Sequence, residues 1–200
     1  MNLVAPDLTF SPPNEALGGA LADNAGLAGT ARRRPDPYLA AADAQHSQGT
    51  ISQARLCALV TSVVTTPQAW RPVVRFSPEH RWFSRIALTA DYEIWLLSWL
   101  PGQRTGFHDH GEACGAFAVA AGELRETLAV GGLRRVRHRM ARQGSLTPFG
   151  SGHVHDVGNV AADPAVSVHA YSPPLAAMRR YEMTAAGLTP VRTDRALVDW

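Results

Sequence analysis

The sequence predicts a mainly β protein: a small antiparallel barrel with an α-helical segment in front of it. Two patterns carry this reading. Residues 51–66, ISQARLCALVTSVVTT, place Ile51, Leu56, Leu59, Val60, Val63 and Val64 at helical spacing, and Pro67 stops the run. From Arg81 onward, short β-rich runs recur between Gly, Pro and Asp, the pattern of a sandwich or small barrel.

The elements follow in order. Residues 1–48 are rich in Ala, Gly, Pro and Asp with no sustained period, and read as a mobile leader with one short helix near Glu15–Ala25. Residues 49–80 form a helical segment expected to pack on the barrel, and residues 81–200 form the barrel with a C-terminal extension. Strands are expected over Phe83–Leu88, Glu93–Trp99, Gly115–Val119, Leu124–Ala129, Arg134–Arg139, Gly144–Thr147, His153–Val157 and Val166–Tyr171. The segment holding His108 and His110 also reads as a strand.

Composition narrows the class of function. A chain of 200 residues can bury one sizeable core. A formal charge of +2 is too small to argue for nucleic acid. Every basic side chain is arginine, and the one basic run, at 32–34, reads as a solvated linker. Cys57 and Cys114 make no disulfide framework. The opening MNLVAPDLTF lacks the basic and apolar regions of a secretory signal. No apolar run approaches the roughly 18 residues of a membrane span. A cytoplasmic monomer is therefore expected, with small molecules as partners and neither nucleic acid nor membrane.

Three stretches carry chemistry. In Gly102–Gly122, GQRTGFHDHGEACGAFAVAAG, His108 and His110 stand at i and i+2, which on a strand points both imidazoles to one face. Beside the apolar Phe107, Phe117 and Val119 that face is buried, and paired inward imidazoles suit a metal. An isolated HxH is more often two surface histidines, so the neighbours decide. Gly144–Asn159, GSLTPFGSGHVHDVGN, adds His153, His155 and Asn159. In Pro164–Pro174, PAVSVHAYSPP, Ser167, His169 and Tyr171 alternate and share one strand face. No acidic third member follows them, so they do not form a nucleophilic triad.

Together these stretches resemble the paired motifs of the cupins. Gly102, His108, His110 and Gly122 follow the first motif, and Pro148, Gly150, His155 and Asn159 follow the second in order. Gly115 stands where the first motif has a glutamate ligand. Among cupins, a set without that carboxylate is similar to the cysteine dioxygenase type I family, and the Ser-x-His-x-Tyr run ending in Ser-Pro-Pro agrees. The resemblance implies a jelly-roll cupin barrel and Fe(II) held by His108, His110 and His155. His153 competes with His155, and the spacing to Asn159 favours His155.

The resemblance also implies roles for other residues. Tyr171 would be the proton donor or oxygen-orienting group, His169 its partner and Ser167 the anchor. An arginine would clamp the substrate carboxylate bidentately. Arg85 matches the family position, with Arg81 and Arg104 as alternatives. Mammalian members carry a cysteine joined to the tyrosine by a thioether, and Gly115 occupies that place here. Cys114 is one residue earlier, and a one-residue shift turns a strand side chain to the other face. Cys114 is therefore expected to point away, with no crosslink.

The implied activity is a non-haem Fe(II) thiol dioxygenase that oxidises L-cysteine with O₂ to cysteine sulfinic acid. Two other readings stay open: a dioxygenase of 3-mercaptopropionate or another small thiol, and a non-catalytic metal-binding cupin that acts as a sensor.

Overall fold

The computed structural model describes residues 50–196, and the expected leader with its short helix lies outside them. Helix α1 spans Gln53–Val64. Ser52 caps it, its side chain accepting from the Arg55 N–H at 3.2 Å. Pro67 ends the run as expected and also opens a one-turn helix, α2, Pro67–Trp70. Proline is tolerated there because the first helical N–H has no partner to lose. Among the described residues no helix is long and apolar enough to cross a membrane.

Eleven strands follow among the described residues: β1 Phe83–Leu88, β2 Glu93–Trp99, β3 Phe107–His108, β4 Cys114–Ala121, β5 Glu123–Val130, β6 Arg135–Arg142, β7 Leu146–Phe149, β8 His155–Gly158, β9 Ala165–Ser172, β10 Ala177–Thr184 and β11 Gly187–Arg195. They form two antiparallel sheets. One runs β1-β2-β9-β4-β7 and the other β11-β10-β3-β8-β5-β6. This is the mainly β cupin barrel of jelly-roll type that the sequence predicts, with one helix ahead of it.

Period-two alternation on β4 and β9 divides the apolar residues into two cores. Ala116, Ala118 and Ala120 with Val166, Val168 and Ala170 face outward and meet Leu56 and Val60 of α1. Small alanines let the helix lie close to the sheet. The intervening Phe117 and Val119 face inward and join Trp99, Leu124, Phe149 and Val157. Strand β9 is therefore buried on both faces along its whole length. Full burial of a side chain such as Leu56 contributes about 1.5–3 kcal/mol, so removing the helix would uncover the back of the strand that carries Ser167, His169 and Tyr171.

Strands β10 and β11 are absent from the sequence-based expectation, which left this region as an extension. Both are rich in charged and polar residues, and β11 contains Pro190. Proline is tolerated because β11 is the edge of its sheet, as is β7, which holds Pro148. The strand expected through the HxH is only two residues long: His108 lies on β3 and His110 beyond it. His153 likewise precedes β8, with its ring 4.7 Å from that of His155.

Candidate metal centre

Three imidazoles converge inside the barrel. His108 and His155 are directly paired across β3 and β8. The ring centroids of His108 and His110, and of His108 and His155, are 4.8 Å apart, and those of His110 and His155 are 5.1 Å apart. One ligand nitrogen from each lies within 4.8 Å of the others. All three are buried, at 4%, 3% and 1% exposure.

The hydrogen bonds show which nitrogens are free. Nδ1 of His108 donates to the Gly106 carbonyl at 2.9 Å. Nδ1 of His155 donates to Glu126 Oε1 at 2.7 Å. Each bond fixes the tautomer that leaves Nε2 with a lone pair. His110 is buried with neither ring nitrogen hydrogen-bonded. An orphaned buried imidazole is costly unless something coordinates it. Burial, with the neighbouring imidazoles, pushes His108 and His110 well down, and burial lowers His155. Three neutral, lone-pair-bearing rings around one point fit a transition metal.

The position of a fourth, carboxylate ligand is closed. A Cβ at Gly115 would lie 2.4 Å from the Phe149 ring and 2.8 Å from the Ala170 carbonyl. Phe149 occupies that space and stacks on His110 at 4.9 Å.

Two buried acids that the sequence reading did not single out hold this arrangement. Asp109, between the two histidines, accepts from Arg179 Nε at 2.8 Å, the Tyr181 hydroxyl at 2.6 Å and the Gly111 N–H at 2.9 Å. These contacts turn the chain after β3, so His110 reaches the centre from a loop. Burial, and then the Asp109 carboxylate, pushes the Tyr181 phenol up to about 12.

Glu126 is the second. Its Oε1 accepts from His155 and, at 3.0 Å, from His153, while Arg139 Nε donates to Oε2 at 2.5 Å. Burial opposes its ionisation, but the His153, His155 and Arg139 hydrogen bonds outweigh it and hold the carboxyl well below the usual range. Glu126, His153 and His155 also lie within ligating distance of one another. Arg139 already neutralises that acid, so we read them as support for His155. The signal in the sequence was an acid at an inward position between Leu124 and Leu128.

A cavity of about 290 Å³ opens beside the imidazoles, lined on one side by His108, His155, His169, Tyr171, Trp95 and Arg81. Met178, Arg180, Arg192 and Asp194 line the other side. Thus β10 and β11 supply one of its walls. Ser167, His169 and Tyr171 form a row on β9. Trp99 Nε1 donates to Ser167 Oγ at 2.9 Å, Ser167 Oγ meets His169 Nε2 at 2.8 Å, and His169 Nδ1 lies 3.4 Å from the Tyr171 hydroxyl. Burial lowers His169 to about 3 and pushes the Tyr171 phenol up.

The arginines are placed differently from the expectation. Arg85 is not among the cavity-lining residues. Its NH1 donates to the buried Glu93 at 3.3 Å, and its guanidinium lies 5.4 Å over Trp95. Arg104 pairs with Asp156. Arg81 does line the cavity, over Trp99 at 4.9 Å and Phe83 at 5.8 Å. Cys114 packs with the helix-side core, its thiol 3.4 Å from the Ser172 carbonyl, while Gly115 stands opposite Tyr171.

A cupin barrel with three inward imidazoles beside a cavity defines a metal-binding cupin. Within that class, the chain belongs to the cysteine dioxygenase type I family, whose model matches residues 44–184. Cysteine dioxygenase type 1 of Danio rerio is 27% identical over 135 residues, covering 62% of this chain and 67% of that protein. Among solved structures, TT1209 from Thermus thermophilus aligns at 20% identity over 52% of this chain and 93% of its own, with a TM-score of 0.47. A protein with a double-stranded β-helix domain from Klebsiella pneumoniae aligns at 23% identity over 60% of this chain and 90% of its own, with a TM-score of 0.44. Membership of this family makes the chain a dioxygenase of thiols that uses a non-haem metal.

Proposed function

We propose that this protein is an Fe(II)-dependent dioxygenase that converts L-cysteine to cysteine sulfinic acid. The reaction is R–SH + O₂ → R–SO₂H, so both oxygen atoms end on sulfur. The observation that carries the reading is the buried His110 ring without a hydrogen-bond partner, facing two imidazoles whose other nitrogens are already engaged. His108, His110 and His155 would hold the iron, which supplies a binding place for thiolate sulfur and for O₂. With three neutral ligands and no protein carboxylate, the positive charge of the ion would be left for the substrate thiolate to offset.

The chain's own part is proton placement and orientation. An indole N–H only donates, so Trp99 fixes one lone pair of Ser167. The Ser167 hydroxyl then donates to His169 Nε2, and His169 Nδ1–H points at the Tyr171 oxygen. This order leaves the Tyr171 O–H free to face the cavity. Burial keeps that phenol protonated at neutral pH, so its O–H is available to donate a hydrogen bond to the reacting group. The aromatic surfaces of Phe117 and Phe149 exclude water behind it. A cytoplasmic, reducing setting suits ferrous iron and a free thiol substrate.

The test is O₂ uptake by anaerobically Fe(II)-loaded protein given L-cysteine, with sulfinate identified by mass. Uptake that disappears in His110→Ala together with bound iron supports the reading. Iron binding without uptake on any small thiol refutes it in favour of a sensor.

A further inference from the structure

The last strand of the second sheet, β6, is left uncovered. Of its eight residues only Ala141 is buried, and Arg135, Val136, Arg137 and His138 are exposed in succession, so that half of the strand is open on both faces. Its ladder partner among the described residues is β5 alone, and the main-chain N–H and C=O groups of its other edge are left for another chain to pair with. The strand is also strongly basic. Arg134, Arg135, Arg137, Arg139 and Arg142 fall between positions 134 and 142 with no acid among them. Glu126 takes Arg139 and Glu123 takes Arg142. Among the described residues Arg134, Arg135 and Arg137 form no ion pair.

We propose that the free edge of β6 is a docking site for an extended, acidic protein segment, which adds to the sheet as a further strand. The register on β5 sorts the side chains. Arg137 stands opposite Leu128 and Arg135 opposite Val130, on the barrel-side face. Val136 and Met140 stand opposite Ala129 and Arg125 on the outer face, exposed at 36% and 44%. Residues of an added strand lie directly beside those of β6 and alternate between the same two faces. The segment that fits therefore alternates, with acids beside Arg135 and Arg137 and apolar side chains beside Val136 and Met140.

The charge selects among occupants. A second copy of β6 in a continuous sheet would set arginine against arginine, and like charges directly opposite repel. These arginines guard the edge against self-pairing and leave it open to an acidic strand. A single-stranded nucleic acid could use the same cations through its phosphates, but such strands also stack their bases on aromatic rings. Between Arg134 and Arg142 the side chains other than arginine are Val136, His138, Met140 and Ala141, and the His138 ring is engaged by Thr127 at 3.0 Å. Neither Arg135 nor Arg137 lines the cavity, so this surface stands apart from the thiol chemistry.

The experiment is fluorescence-polarisation titration of the full-length protein with three labelled probes. They are a peptide of alternating Glu and Val, a peptide of the same composition with Glu and Val in separate blocks, and a single-stranded oligothymidylate of equal charge. The alternating peptide should bind at least about tenfold more tightly than either of the others. N-methylating its backbone amides removes the donors that a sheet needs, and should cost at least about tenfold. Arg135→Glu combined with Arg137→Glu should cost the alternating peptide about as much. Arg135→Gln combined with Arg137→Gln carries the same test if the charge reversal lowers the melting temperature, and should cost several-fold. Equal affinity for the block peptide, undiminished binding of the N-methylated peptide, or full affinity in both double variants would overturn strand addition at this edge. Tighter binding of the oligothymidylate would give the surface to nucleic acid and overturn the proposal, as would a protein that binds none of the three probes.

Discussion

Replacing Glu126 by glutamine should loosen the metal without unfolding the barrel. The carboxylate is wholly buried and serves His155 through Oε1 and Arg139 through Oε2. A glutamine has one acceptor oxygen and one amide donor in their place. If the oxygen faces His155, the amide meets the Arg139 donor. If the amide faces His155, that ring must accept at Nδ1, and its proton then sits on Nε2, the nitrogen needed for a metal. A hydrogen bond to a charged acceptor contributes about 1.5–3 kcal/mol against roughly 0.5–1.5 kcal/mol for a neutral one. The His155 bond is fully buried and counts in full. The Arg139 side chain is 39% exposed, so its contribution is screened. The net loss is about 2 kcal/mol, or about 30-fold in metal affinity, within the range for partners that orient metal-bound imidazoles. Anaerobic Fe(II) titration against a competing chelator measures it, with the melting temperature as a control for folding. An affinity within about twofold of wild type would refute the claim that Glu126 sets the tautomer of His155.

Other predictions come from the same geometry. His169 titrates at about 3 in the folded protein against about 6.5 unfolded, so the unfolded chain takes up the proton first as pH falls. Its contribution is therefore whole above pH 6.5 and is lost progressively towards pH 3. Between pH 6.5 and 5.5 this one group costs about 1 kcal/mol of stability, and because His108, His110 and His155 are lowered too, the difference between wild type and His169→Gln in denaturant unfolding at the two pH values reads it. A difference that is flat across that step would mean His169 is not buried neutral. Gly115→Ala places a Cβ against Phe149 and the Ala170 carbonyl. We expect a loss of about 1–3 kcal/mol from overpacking, and an unchanged melting temperature would contradict the close approach. Because Cys114 lies on the helix side and Gly115 faces Tyr171, the intact mass should show no loss of two hydrogens to a thioether, before or after turnover.

Much of this molecule was legible in its sequence where side chains alternate cleanly. Strands β1 and β2 have the bounds the pattern gives them, and helix α1 fills the 51–66 run up to its capping positions. Strands β10 and β11 were not legible. Their AMRRYEMT and GLTPVRTDR runs lack an apolar face because they pair at a sheet edge and hold a polar cavity wall. The HxH misled in detail: Asp109 is as buried as the histidines beside it, which a strand with one polar face does not show, and its contacts with Arg179 and Tyr181 explain why. The arginines show the same limit. Counting along the chain selects Arg85, but whether a cation is free depends on where acids such as Glu93 come to lie, and that is a tertiary fact.

The central claim is that this cavity joins O₂ to a substrate sulfur. It is tested most directly by turnover of L-cysteine on the Fe(II)-loaded protein under isotopically labelled O₂, with mass analysis of the product. The account predicts a sulfinate carrying two labelled oxygens from a single O₂ molecule. A disulfide, or a product whose oxygen comes from water, would contradict it.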